Sequence, residues 1–455
     1  MRCNGSHLAR ALHSARIAAV LVAAGCGLLV VHGSASLAAQ YQLQVIAQAG
    51  DAIEGRTIDY FSIDPTEVNI NNDGEVAFFA HVNGPEGSGW SLMTQRRFIA
   101  GAGKVVDGYV PAFNDEDHDI DINERGEVVY TPILGPAHRG VFINERLVFQ
   151  VGDVIDGRTI SLVGRSPRIN DAGEIVVEAW YEGHAGAAIF TPDRLIAEFG
   201  QRIGDETLGD MFRPHINNDG DIILTAGLIE RDVFGVVSPT EVLLAPGDTL
   251  HGYPVVDIRN AAFSNSGEVR YHFITSESSI IATADRVLWQ PGDGPAGHSF
   301  EHLAGANVVL NAKGVLAYLA ATVDNEGYVK QRFLVVGDTL IASEGDMIGG
   351  KRVVRLKPNF DMNDLGQVAF RVRYEDETEA VVLATRIVPE PSGILLAATA
   401  LTVAVAMGLW RSSKNGKRLT NETPASPLRR GGDLSQDRQF GGVSCVCHRF
   451  VGVAM

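Results

Sequence analysis

The chain is poor in cysteine: only Cys3, Cys26, Cys445 and Cys447 occur in 455 residues. None falls in the long central stretch. That excludes a disulfide framework, a thiol nucleophile and a cysteine-based zinc site there, so this stretch must be stable by packing alone. Positive charge is also scarce. Between residues 40 and 388 there are 27 basic against 51 acidic residues, a net of −24. Nucleic acid is therefore not an expected partner, because its phosphates would be repelled. Catalytic signatures are missing as well: there is no H-E-x-x-H, no G-x-S-x-G and no phosphate-binding loop. Nine histidines lie in this stretch, from His81 to His302, with no shared position. No long helical pattern occurs before residue 393.

The two ends carry different information. Arg2, Arg10 and Arg16 precede an apolar run from Ile17 to Val31, followed by small residues up to Ala39. Residues 1–39 read as a secretory signal peptide. Near the other end, residues 393–410 form an uncharged run long enough to cross a bilayer as a transmembrane helix. Arg411, Lys414, Lys417 and Arg418 follow it, as expected on the cytoplasmic side. The tail, residues 419–455, has little periodicity and reads as disordered.

The central stretch is periodic. A four-residue phrase ends at Gly74, Gly126, Gly173, Gly220, Gly267, Gly314 and Gly366; most copies read N-x-x-G, as in Asn71-Asn72-Asp73-Gly74. A second phrase, G-D-x-I-x-G in its fullest form, starts at Gly50, Gly103, Gly152, Gly200, Gly247, Gly292 and Gly345. Between them lie short runs rich in β-branched and aromatic residues, which suit strands. Four strands in about 47 residues is the size of one β-propeller blade. The opening YQLQVIAQAG looks like the second half of a hairpin, and the closing EAVVLATRIV like a first half. The expectation is all-β: a seven-bladed propeller over residues 40–388, closed by pairing of its N- and C-terminal strands.

The recurring phrase could be a metal loop or a turn. Asn69, Asn71, Asp73 and Gly74 match the start of a calcium loop, but its twelfth position, where a bidentate Glu is needed, is Ala80. Arg125, Ala172 and Lys313 occupy ligand places in other copies. The turn reading fits every copy: Asn bonds its own backbone, and Gly takes positive φ. For the second phrase, Asp51, Asp153, Asp248, Asp293 and Asp346 are expected to bond the amides of their own turns. The alternative, a carboxylate ring, is broken by Lys104 and Gln201. One irregular acidic stretch, FNDEDHDIDINE, carries Asp115, Asp117, Asp119 and Asp121. The expectation is a plain solvated loop; the alternative is a Ca²⁺ site, which this density of hard oxygen donors allows. No other cofactor is expected.

Pro389-Glu390-Pro391, followed by the apolar run and the basic cluster, resembles a PEP-CTERM sorting signal over residues 389–418. That resemblance implies export and recognition by an exosortase-type sorting enzyme near Pro389, Glu390 and Pro391, in bacteria that make extracellular polysaccharide. Two prolines also keep the backbone extended before the span. Residues 41–387 resemble exported bacterial tandem-repeat proteins with an N-x-x-G-x-[VI]-x-F repeat, which implies a β-propeller and no assigned activity. The function expected is a non-enzymatic, surface-displayed or secreted binding or matrix protein, associated with extracellular polysaccharide and tethered by its C-terminal helix before any cleavage. The alternatives are an exported enzyme acting on polysaccharide or another polymer at the propeller channel, and a Ca²⁺-dependent adhesion module. A channel gathering carboxylates, His and Arg with shifted pKa values would favour the enzyme.

Overall fold

The computed structural model describes residues 40–387, apart from 62–66, 115–118, 265 and 296. The signal-peptide, PEP-CTERM-like, transmembrane and tail segments of the sequence reading lie outside the described residues. Among the described residues every named element is a strand. They form seven antiparallel sheets arranged as blades, plus one isolated two-stranded ribbon. The fourth blade is typical: Glu206–Ile216 is innermost, followed outward by Ile222–Leu228, Val233–Val237 and Val242–Leu244. The short innermost strands of blades 1 to 3 end at Val68–Ile70, Ile120–Ile122 and Arg168–Ile169. Blades 5 to 7 begin with Asp257–Phe263, His302–Leu310 and Lys351–Met362.

The ring closes as the two half-hairpins predicted. Gln40–Gln48 pairs antiparallel with Glu379–Ile387 and becomes the outer strand of blade 7. The pairing removes an open edge on which another chain could template.

Packing follows the strand period. Seven separate hydrophobic clusters each fill one gap between neighbouring blades. In the gap between blades 7 and 1, Ala47, Val381 and Ala369 meet Val76, Phe78 and Met93, all buried. Burying one such large side chain contributes about 1.5–3 kcal/mol. An equivalent layer in every gap explains how a domain without disulfides is held together.

Both recurring phrases are corners. The turn glycines, from Gly74 (φ 69°) to Gly366 (φ 76°), all have positive φ, which a side chain would strain. In the second phrase Asp51, Asp153, Asp248, Asp293 and Asp346 each accept the amide three residues back, at 2.7–3.0 Å. Ile53, Ile155 and Ile348 of the same phrase are buried in the core. These aspartates are committed to their turns.

Candidate functional site

The asparagine that opens each N-x-x-G turn does two jobs. Its Oδ1 accepts the amide four residues on, as in Glu75 N to Asn71 Oδ1 at 3.0 Å and Gln367 N to Asn363 Oδ1 at 2.9 Å. In five copies its Nδ2 also crosses to the next blade, while that of Asn217 stays on Asp221 of its own turn. Asn71 donates to the carbonyl of Asn123, Asn123 to that of Asn170, and Asn170 to that of Asn217. Asn311 donates to Asn363, and Asn363 to Asn71. A second circuit runs beside it: Asn72 N to Glu124, Glu124 N to Asp171, Asp171 N to Asn218, Ala312 N to Asp364 and Asp364 N to Asn72. The phrase recurs because it is a belt as well as a turn.

Inside this belt the seven innermost strands enclose a channel cavity of about 470 Å³. Two residues before each turn opener, one side chain per blade stands at the channel: Asn69, Asp121, Arg168, His215, Ala262, Val309 and Asp361. Four residues before the opener a second ring holds Glu67, Asp119, Ser166, Arg213, Asn260, Asn307 and Asn359. The second ring is polar throughout. The sequence repeats where it builds the belt and varies where it faces the channel.

Within the two rings and the adjoining Arg270, charge is divided around the channel. Blades 7, 1 and 2 supply Asp361, Glu67, Asp119 and Asp121; blades 3 and 4 supply Arg168, Arg213 and His215, and blade 5 supplies Arg270. Arg168 bridges the halves. Its Nη2 lies 3.4 Å from Glu67 Oε1, and its Nη1 donates to the Ile120 carbonyl at 3.2 Å. Burial opposes its charge, but Glu67, Asp121 and Asp119 outweigh burial and hold it above the ordinary guanidinium value. Burial lifts the Glu67 carboxyl to about 7, against the pull of Arg168 and with a push from Asp119. Burial likewise lifts Asp121 to about 6, and raises Asp361. His215 is driven well below the usual imidazole value, first by burial and then by Arg168, Arg270 and Arg213, so it is neutral at pH 7.

A cleft of about 440 Å³ adjoins the channel at Asp119, Ser166 and Arg213. Its floor includes Leu162, Trp180 and Phe212, with Arg139, Arg165 and Glu178 among its polar groups. Burial, then Asp210 and Asp119, lift the Glu178 carboxyl to about 7.

Of the four aspartates that the sequence singled out, Asp115 and Asp117 lie outside the described residues. Asp119 and Asp121 both reach the channel. Asp119 accepts the Ser166 hydroxyl at 2.5 Å, and Asp121 accepts the amides of Ile169 and Ile122, each at 3.0 Å. Among the described residues no group of three His, Cys, Asp or Glu side chains is placed to hold a metal. Pro389, Glu390 and Pro391 lie outside the described residues. Glu67, Arg168, His215 and Arg270 were not singled out by sequence. The signal was present: setting the seven repeats under their turn openers exposes two variable columns upstream, which hold Glu67, Arg168 and His215, and shows Arg270 as the charged residue in an otherwise apolar column downstream.

Closed blades, a belted channel and a charged lumen define a seven-bladed β-propeller with a site of ligand size on its axis. The chain belongs to the family of unknown function DUF7453, whose model matches residues 38–349. A search of curated proteins finds no match to it. Among solved structures it is similar to the Dos1 propeller (8% identity, 76% of this chain and 95% of that one, TM-score 0.35). It is similar also to a gluconolactonase from Xanthomonas campestris (8%, 78% and 93%, TM-score 0.30) and to the polysaccharide lyase Uly1 (8%, 77% and 100%, TM-score 0.36). Likenesses at that level carry no argument about what this chain does.

Proposed function

We propose that this is an exported, non-enzymatic binding protein that takes a segment of extracellular polysaccharide into the propeller channel. The observation that carries the reading is the split between recurring belt positions and variable channel positions. The belt builds the wheel, and the two inner rings, which vary from blade to blade, set the chemistry that a ligand in the channel would meet. A sugar chain asks for hydroxyl partners and for apolar faces against its C–H surfaces. The Asn and carboxylate rings supply the first; Trp180, Phe212 and Leu162 in the adjoining cleft supply the second. The leader over 1–39 and the sorting segment at Pro389-Glu390-Pro391 support display outside the cytoplasmic membrane, with an exosortase-type enzyme as the processing partner.

One observation favours a second reading, an enzyme at the same site. Glu67, lifted to about 7, has the proton affinity of a general acid and faces the channel beside Arg168. Against it, Asp121 and Asp361 are tied to backbone amides of the neighbouring blade. A glycan array probed with the full chain, with every hit assayed for cleavage products, separates the two. Binding without turnover supports the first reading, product formation that Glu67→Gln abolishes supports the second, and an array without hits overturns the polysaccharide assignment.

A further inference from the structure

Arg270 is a cation that the fold leaves uncompensated. It is 3% exposed, and its Nη1 is buried without a hydrogen-bond partner. Among the described residues no carboxylate pairs with it. Burial alone drags its pKa down to about 9. A charge buried in this way destabilises the folded state unless a counter-charge arrives.

Blade 5 departs from the repeat at three linked places. Three residues after the turn glycine, the other blades carry Ala77, Val129, Val176, Ile223, Ala317 and Ala369; blade 5 carries Arg270. Directly across the ladder from Arg270 is Ala262, and opposed residues point to the same face. Ala262 holds the channel position that Asp361, Asn69, Asp121, Arg168 and His215 fill in other blades, so only a methyl stands where those side chains project. The turn opener is Ser264, which has no amide to pass to blade 6. The guanidinium thus enters the channel from the second strand, over the gap left by the small residue. It acts electrostatically on His215 of blade 4, as Arg213 does.

We propose that Arg270 is the anchor for the carboxylate of an acidic sugar, a uronic acid residue of the polysaccharide bound in the channel. The planar guanidinium fork matches a carboxylate in two parallel hydrogen bonds. A single negative charge suits this lumen, because Glu67, Asp121 and Asp361 on the far arc repel a second. The hydroxyls of the same sugar then face those carboxylates as donors. The proposal deepens the channel-binding reading and rests on it.

The test is titration calorimetry and thermal melting of the full chain with galacturonic acid, its methyl ester and galactose 6-sulfate. The acid is expected to bind at least tenfold more tightly than the ester and the sulfate. Arg270→Met should erase that preference while leaving the ligand-free melting temperature unchanged or higher, since an uncompensated charge is gone. Arg270→Lys keeps the charge but not the fork, and should retain only part of the preference. Should the methionine variant fail to fold, the lysine variant carries the test. Uronate affinity unchanged in the variants overturns the role of Arg270, and tighter binding of the sulfate overturns the carboxylate assignment. A neutral glycan bound as well as the acid overturns this inference and leaves the channel-binding reading standing; no glycan bound at all overturns both.

Discussion

Asn363 and Asn71 stand 292 residues apart in sequence and are joined directly: the Nδ2 of Asn363 donates to the Asn71 carbonyl at 2.9 Å, on a buried path. The same contact links Asn123 to Asn170 and Asn170 to Asn217, each at 3.0 Å, across 47 residues. The seam between the last blade and the first is built like those between blades 2 and 3 and between blades 3 and 4.

Asn363→Asp tests this contact. Aspartate keeps the oxygen that accepts the Gln367 amide but loses the donor to Asn71 and to Gln367 Oε1, and sets a buried carboxylate against both acceptors. A buried acceptor left unpaired costs about 1–3 kcal/mol. Urea unfolding should show a loss of at least that size, and Asn363→Ala, which breaks the turn as well as the contact, should also be less stable than the parent. Equal stability of Asn363→Asp and the parent chain would show that the belt adds nothing.

Glu379 in the closing sheet is shared by two buried cations. Lys357 Nζ is 2.9 Å from its Oε1, and Arg371 Nη2 is 2.5 Å from its Oε2. Lys357 and Arg371 are 5% and 1% exposed. Glu379→Gln removes the negative charge that they share and should destabilise by about 3–5 kcal/mol. Glu277→Gln on an exposed turn is the control and should fall within experimental error in the same unfolding assay.

Stability should depend on pH through Glu67. Its folded pKa of about 7 stands above its ordinary value of 4.5. Between those values the folded state binds more protons than the unfolded one, so this group makes stability fall as pH rises from about 4.5 to about 7. Asp121 at about 6 and Glu178 at about 7 act with the same sign. Melting temperatures across this window should therefore decline less steeply in Glu67→Gln than in the parent. Parallel profiles would refute the assignment. Arg168 retains Asp121 and Asp119 as neighbours in the variant, so the guanidinium is not stranded.

Titrating Ca²⁺ into the full chain should give no heat and no rise in melting temperature. Asp119 already accepts a hydroxyl and Asp121 two amides, and among the described residues no group of three metal-ligating side chains includes them. A stabilisation by Ca²⁺ that Asp121→Asn abolishes would establish the adhesion alternative instead.

The wheel was legible because its signals are repeated and local. Spacing of Gly74 to Gly366 counts the blades, and the unmatched halves at Tyr41 and Val381 announce the closure. The aspartates of the second phrase were legible for the same reason, each bonding within three residues. The belt was half legible: asparagine in a turn is a local fact, while its other hand on the next blade is a long-range one. Of the lumen only Asp119 and Asp121 were singled out, and as calcium ligands. Glu67, Arg168, His215 and Arg270 have no motif among themselves, and only the rotation from blade to blade gathers them. The acidic stretch drew the eye by density, yet what matters for Asp119 and Asp121 is their distance upstream of Asn123.

The outermost strand of the last blade is the first segment after residue 39 to be synthesised. Gln40–Gln48 must wait, without its mate, until Glu379–Ile387 exists. Loop closure over such a separation is slow, and contacts of this kind set folding speed. Six blades can assemble while the chain is still growing, but the clasp cannot. A nascent chain of this protein therefore carries a lone sticky ribbon for nearly its whole production, and any factor that escorts it has that ribbon to guard.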